Sequence, residues 1–129
     1  MKNYKVVLID DDQDFTEALR IFLEGRGMQV WVAGNGQEGL ALAREVQPDI
    51  ILLDIMMDYL NEGFVVAGEI KKDPVLSKKP VVFITGFEQH MEENLDTFSM
   101  ALAEWNAAAI MSKPIEPAEL AEKIQKILG

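Results

Sequence analysis

The chain has 129 residues, of which 49% are hydrophobic, and a formal net charge of −10 at pH 7. This length and composition suit one domain with a buried core, and the acidic balance argues against direct binding to nucleic acid, which depends on Lys and Arg at the phosphates. The absence of cysteine excludes disulfides and thiolate metal sites, and no apolar run is long enough to span a membrane, so we expect a cytoplasmic protein.

The first half of the chain alternates short apolar runs with helical patterns. The segment YKVVLI (4–9) predicts a buried strand, because it is short, rich in β-branched residues and followed by charge. Apolar residues at helical spacing then predict a helix over 13–24. The following segments predict a strand over 28–33, a helix over 37–46 and a fully apolar strand over 49–55.

The same alternation continues in the second half. We predict a helix over 64–72, a strand over 80–85 and a longer helix over 88–105. A weak strand follows over 107–112, and Pro117 at a first-turn position opens the last helix. Repeated strand–helix units with fully apolar strands predict a parallel sheet covered by helices on both faces.

In such a sheet the functional groups collect at the carboxyl ends of the strands. Four of the predicted strands end in residues that carry charge or a hydroxyl group. These residues are Asp10, Asp11, Asp12, Asp54, Thr85, Ser112 and Lys113. Because parallel strands end at the same edge, we expect carboxylates, a hydroxyl group and an ammonium group to converge there.

Each of these residues also has a purely structural explanation. Asp12, next to a helix start, is best explained as an N-cap. Asp54 and Thr85 could be ordinary strand endings, and Lys113 could be a solvated surface lysine. Their joint occurrence at four strand ends favours a functional site. Carboxylates that lie next to one another repel, so we expect Lys113 and a divalent cation to offset the negative charge of this acidic cluster.

The chemistry of this residue set fits phosphoryl transfer to a carboxylate. Aspartate can act as a covalent nucleophile and form an aspartyl phosphate. Mg²⁺ prefers oxygen ligands and is usually held by one or two carboxylates plus phosphate oxygens. A threonine hydroxyl and a lysine ammonium are suited to contact the oxygens of the transferred group.

Four short segments resemble the motifs of the receiver domains of two-component response regulators, including the single-domain chemotaxis regulators. They are LIDDD (8–12), LLDIMM (52–57), ITG (84–86) and SKP (112–114). The resemblance covers essentially the whole chain, so residues 1–129 are expected to form one receiver domain. It implies an α/β, flavodoxin-like, doubly wound parallel sheet of five strands in the order 2-1-3-4-5, with five helices.

The resemblance also implies roles for the residues at the strand ends. Asp54 would accept a phosphoryl group from the phosphohistidine of a histidine kinase. Thr85 and Lys113 would hold the acyl phosphate, and the Lys113–Pro114 peptide bond would be cis. The protein would assist its own phosphorylation and dephosphorylation without being an enzyme that turns over a separate substrate.

By the same resemblance, the acidic residues would form a magnesium site. Asp11 and Asp54 would bind Mg²⁺ directly, together with the backbone carbonyl of Met56. Asp10 would act on the ion through a water molecule.

The partners that the resemblance implies are proteins. A sensor histidine kinase or a phosphotransfer protein would be the phosphodonor. A downstream protein would dock on the face formed by the helix over 88–105, the fifth strand and the last helix. No direct nucleic-acid or membrane partner is expected, and homodimer formation is left open.

The chain departs from the family pattern in three places. Asp58 stands where the family has proline four residues after the acceptor, and the next glycine, Gly63, comes about one residue late. Ile110 replaces the usual aromatic residue of the fifth strand, so an aromatic flip cannot report phosphorylation. The segment between Thr85 and Lys113 is also longer than usual. We therefore expect movement of the helix over 88–105 to carry the output.

That helix carries a stripe of apolar residues, most of which we expect to pack against the sheet. The stripe consists of Met91, Leu95, Phe98, Leu102 and Trp105.

Two alternatives to a phosphorylated signalling domain are considered. One is an interaction module that keeps the fold and works without phosphorylation, which only Ile110 favours. The other is a metal-dependent hydrolase of external phosphoesters, which would have only His90 as a conventional general base. The complete set at the strand ends favours the signalling domain.

Overall fold

The computed structural model describes residues 3–55, 62–85 and 107–129. Its strands are β1 (Lys5–Ile9), β2 (Gln29–Ala33), β3 (Ile50–Asp54), β4 (Val81–Thr85) and β5 (Ala109–Ser112). Its helices are α1 (Gln13–Gly25), α2 (Gly36–Val46), α3 (Glu62–Lys72) and α4 (Pro117–Leu128), with a 3₁₀ turn at Leu76–Lys78. Each predicted strand and helix in these ranges is present, with ends shifted by only a residue or two.

The predicted helix over 88–105 lies outside the described residues. The same is true of its stripe residues and of His90. The 3₁₀ turn at Leu76–Lys78 was not predicted.

All five strands are parallel and lie in the order β2-β1-β3-β4-β5, which confirms the predicted flavodoxin-like sheet. The register brings the strand ends to one edge. Ile9 is paired with Leu53, and Thr85 is paired with Ser112. The residues that follow β1, β3, β4 and β5 therefore share this edge.

The core consists of two layers, one on each face of the sheet. Alternate residues of β1 and β3 point to opposite faces, and both faces are covered, which explains why Val6–Ile9 and Ile50–Leu53 are all apolar. On one face Val7 and Leu53 pack with Ile70 of α3. On the other face Leu8 and Leu52 belong to a cluster that α1 and α4 complete. Helices thus cover both faces of the sheet, and the polar residues lie at the edge formed by the carboxyl ends of the strands.

The start of α1 fixes the chain directly after β1. Asp12 has extended backbone geometry, and its carboxylate accepts a hydrogen bond from the Phe15 backbone N–H at 3.2 Å. This is the N-cap that the sequence predicts, and it satisfies one of the free N–H groups of the first turn. Asn35 caps α2 in the same way by accepting from the Glu38 N–H at 2.9 Å.

Among the helices of residues 3–55, 62–85 and 107–129, none combines the length and the apolar character that crossing a bilayer requires.

Candidate functional site

Two buried carboxylates lie at the carboxyl edge of the central strands. Asp10 directly follows β1 and is 1% exposed, and Asp54 ends β3 and is 3% exposed. Asp11 is half-buried beside them. One carboxylate oxygen from each of the three residues lies within 4.8 Å of the other two. The predicted convergence of Asp10, Asp11 and Asp54 is therefore confirmed in the structure.

The Lys113 ammonium lies between the two buried carboxylates. Its Nζ is 2.9 Å from Asp10 Oδ2 and 3.5 Å from Asp54 Oδ2. The lysine follows β5, and its backbone N–H donates to the carbonyl of Thr85 at 2.7 Å. The Lys113–Pro114 peptide bond is cis, as the resemblance implies. Lys113 thus supplies part of the positive charge that the acidic cluster was expected to need.

Thr85 completes the set at the end of β4. It is 1% exposed, and its partner across the sheet is Ser112, the residue before the lysine. The structure therefore brings Thr85 to the same edge as Asp54 and Lys113. Met56, Asp58 and Gly86 lie outside the described residues.

The electrostatics of the site follow from its burial. Burial raises the pKa of the Asp10 carboxyl from 3.8 to about 6, and the Asp54 charge adds to this rise. The hydrogen bond from the Asp12 N–H at 2.9 Å and the Lys113 ammonium oppose it. Burial would lower the pKa of Lys113, but Asp10 and Asp54 outweigh this effect and hold that pKa above its usual range.

The donor set fits a magnesium ion. Asp10 Oδ2 is buried and accepts no hydrogen bond from the described part of the chain, although the Lys113 ammonium is its ion-pair partner. Three carboxylates are clustered here and one ammonium is paired with two of them, which leaves negative charge that a divalent cation can offset. Carboxylate oxygens are also the ligands that Mg²⁺ prefers.

Two features of the site were missed in the sequence. The first is the position of Phe15, one of the apolar residues at helical spacing in α1, beside Lys113. Its ring centroid lies 4.3 Å from Lys113 Nζ. The signal available in the sequence was the position of Phe15 three residues after the Asp12 cap.

The second is the close packing of Gly63, in the first turn of α3, against the chain at the end of β3. A Cβ atom at Gly63 would lie 2.2 Å from Ile55 Cα and 2.8 Å from the Asp54 carbonyl oxygen. These are backbone atoms, so they cannot move aside as a flexible side chain could. Only glycine allows α3 to approach β3 so closely.

Gly63→Ala is therefore expected to destabilise the protein by about 1–3 kcal/mol, the usual cost of overpacking. Urea denaturation followed by circular dichroism measures this loss. Gly68→Ala is the matched control, because a Cβ there meets nothing within 4 Å. In the same helix this control should be neutral or stabilising by up to about 1 kcal/mol. Equal effects of the two substitutions would contradict the close approach.

Comparisons with known proteins agree with this geometry. A sequence model of the family described as the response regulator receiver domain matches residues 6–125. Protein PilH of Pseudomonas aeruginosa is 32% identical over 125 residues, which cover 97% of this chain and 98% of PilH. The protein named Probable transcriptional regulator ycf29, from Pyropia yezoensis, is 32% identical over 127 residues, but the chain spans only about half (54%) of its length.

Among solved structures, the crystal structure of the Vibrio cholerae chemotaxis protein CheY4 superimposes with a TM-score of 0.86. The match covers 98% of this chain and 100% of that one at 23% identity. At this level of identity the likeness shows the shared fold and no more.

Proposed function

The chain belongs to the response regulator receiver domain family of two-component signalling, and from this premise we propose that it is a phosphoacceptor. Residues 1–129 act as one receiver domain in the cytoplasm. A histidine kinase or a phosphotransfer protein donates a phosphoryl group, and Asp54 accepts it. The phosphorylated form then presents a docking surface to a downstream protein.

The proposed reaction transfers one phosphoryl group between two side chains. A carboxylate oxygen of Asp54 attacks the phosphorus atom of the donor phosphohistidine and forms a P–O bond. The P–N bond of the donor breaks, and its electron pair returns to the imidazole nitrogen. Lys113 and the Thr85 hydroxyl contact the phosphoryl oxygens, so that their negative charge is offset where it develops.

The acidic residues would hold Mg²⁺ for this reaction. Asp11 and Asp54 would bind it directly with the Met56 carbonyl, and Asp10 would act through water. When bound, the ion supplies positive charge to the phosphoryl oxygens. Asp10 also keeps the Lys113 ammonium at the site through their 2.9 Å ion pair.

One observation supports the proposal most strongly, namely that a single ammonium contacts both buried carboxylates. Lys113 lies within reach of Asp54 at 3.5 Å while it is paired with Asp10 at 2.9 Å. An interaction module without phosphorylation has no need for a buried acceptor with a charged partner. Ile110, which favours that alternative, lies on β5 and is 37% exposed.

The proposed output surface is formed by the helix over 88–105, β5 and α4. Since no aromatic residue stands at position 110, movement of that helix would carry the signal to the partner.

Incubation with acetyl phosphate and Mg²⁺ tests the proposal. Intact mass spectrometry should show the addition of one phosphoryl group to the wild-type protein, and EDTA should prevent it. A protein that stays unmodified at millimolar acetyl phosphate and Mg²⁺ would instead support the interaction module.

A further inference from the structure

The ring of Phe15 occupies one side of the Lys113 ammonium. Lys113 Nζ lies 4.3 Å from the ring centroid, 2.9 Å from Asp10 Oδ2 and 3.5 Å from Asp54 Oδ2. A cation within about 6 Å of an aromatic centroid is attracted by the negative face of the ring. The ammonium is therefore held by two carboxylates and by one aromatic ring.

Phe15 is tied to the acidic residues by a closed circuit of four contacts. Asp10 Oδ1 accepts a hydrogen bond from the Asp12 N–H at 2.9 Å. Asp12 Oδ1 accepts from the Phe15 N–H at 3.2 Å. The Phe15 ring contacts the Lys113 ammonium, and the ammonium forms an ion pair with Asp10, which closes the circuit. The N-cap of α1 thus fixes the backbone of the residue whose ring meets the lysine.

An aromatic residue at this position can do what an aliphatic one cannot. Lysine is a compact charge on a flexible four-carbon stem, and it needs outside contacts to stay in one place. The Lys113 side chain keeps 21% of its surface exposed, so water competes for the ammonium. The ring attracts the cation and excludes water on its side, yet it offers no oxygen that would compete with a phosphoryl group.

We propose that Phe15 is a positioning residue for phosphoryl transfer and acts through Lys113. The ring and Asp10 hold the ammonium while its contact with the Asp54 carboxylate is exchanged for contacts with the phosphoryl oxygens. This role rests on the proposed function of Asp54. It gives the aromatic side chain of Phe15 a task separate from its packing in the core layer formed with α1 and α4.

A packing role alone makes a different prediction, and Phe22 provides the matched control. Phe22 lies on the same helix and packs against the same core layer. It also has a cation over its ring, since the guanidinium carbon of Arg26 lies 4.8 Å from its centroid. That pair is remote from the strand ends, so Phe22→Leu removes an aromatic ring and a cation contact without touching Lys113.

The test compares Phe15→Leu, Phe15→Tyr and Phe22→Leu with the wild-type protein. The measured quantity is the second-order rate constant for labelling by acetyl phosphate at fixed Mg²⁺. We expect Phe15→Leu to lower it about 2- to 30-fold, the range that corresponds to loss of a partly desolvated cation–π contact. Phe15→Tyr, which keeps the ring face, should restore most of the rate, and Phe22→Leu should leave it unchanged.

A second readout reports the ring contact directly. The ε-methylene protons of Lys113, assigned by their loss in Lys113→Arg, should show an upfield ring-current shift in the wild type and in Phe15→Tyr. The shift should disappear in Phe15→Leu and persist in Phe22→Leu. If Phe15→Leu does not fold, Phe15→Met replaces it, because methionine fills a similar volume without an aromatic face.

The outcomes separate this role from the proposed function. If the wild-type protein is not labelled, the proposed function fails and the role of Phe15 fails with it. If the wild type is labelled and Phe15→Leu is labelled equally fast, only the role of Phe15 is overturned. An equal loss of rate in Phe22→Leu would also overturn it, since packing would then explain both.

Discussion

Asp54→Asn is expected to abolish labelling by acetyl phosphate, with no phosphoryl mass added under conditions that modify the wild type fully. The amide lacks the carboxylate nucleophile, while its shape keeps the end of β3 packed as before. Of the three clustered acids, Asp54 alone belongs to a strand, since it is the last residue of β3. Its carboxylate also contacts Lys113. The expected effect is a complete loss, measured by intact mass.

Asp14→Asn is the control for this substitution. Asp14 is exposed in the first turn of α1, close in sequence to the acidic cluster but outside it. This variant removes the same charge and should be labelled as fast as the wild type. Labelling of Asp54→Asn at the wild-type level would show that another residue is the acceptor.

Mg²⁺ is expected to stabilise the protein strongly at pH 7.5 and only weakly near pH 4.5. The folded-state pKa of Asp10 is raised from 3.8 to about 6, so the folded protein favours the protonated carboxyl. The contribution of Asp10 to stability is therefore full below pH 4 and declines as the pH rises through about 6. A shift of this size corresponds to about 3 kcal/mol. Above pH 6 the ionised cluster can bind Mg²⁺, whereas at low pH protons compete with the ion.

Thermal unfolding in EDTA and in Mg²⁺ at several pH values measures this effect. A ligand at 100 times its dissociation constant adds about 2.7 kcal/mol to the free energy of unfolding. Asp11→Ala should lose most of this gain and should be at least as stable as the wild type in EDTA, because one like charge is gone. Asp14→Ala should keep the gain. If millimolar Mg²⁺ does not change the thermal unfolding midpoint at pH 7.5, this result would count against the metal site.

The sequence predicts the sheet and its polar edge well, because both depend on patterns that are local along the chain. Each strand is a short apolar run, and the carboxyl ends of parallel strands lie at the same edge of a sheet, so the alternation of strands and helices is enough to predict that Asp10, Asp54, Thr85 and Lys113 share that edge. The Asp12 cap was predicted for the same reason, since an N-cap concerns only the residues of one helix turn.

What the sequence could not predict depends on distances between segments that are far apart in the chain. The contact of Phe15 with Lys113 requires the direction of two side chains from α1 and from the end of β5. The approach of Gly63 to Ile55 requires the depth at which α3 sits on β3. No periodicity encodes either quantity, and both features are read only from three-dimensional packing.

The position of Lys113 directly after β5 links the polar edge of the sheet to the cooperativity of unfolding. β5 is the last strand in the sheet order and pairs with β4 through only four residues, from Ala109 to Ser112. An edge of this kind would normally open locally at a lower free energy than global unfolding. Here, local opening would also withdraw the ammonium from two buried carboxylates that repel each other. Amide hydrogen exchange in β5 should therefore be slower than is usual for a four-residue strand at the end of a sheet. The ion pairs of Lys113 with Asp10 and Asp54 hold the end of this strand in place.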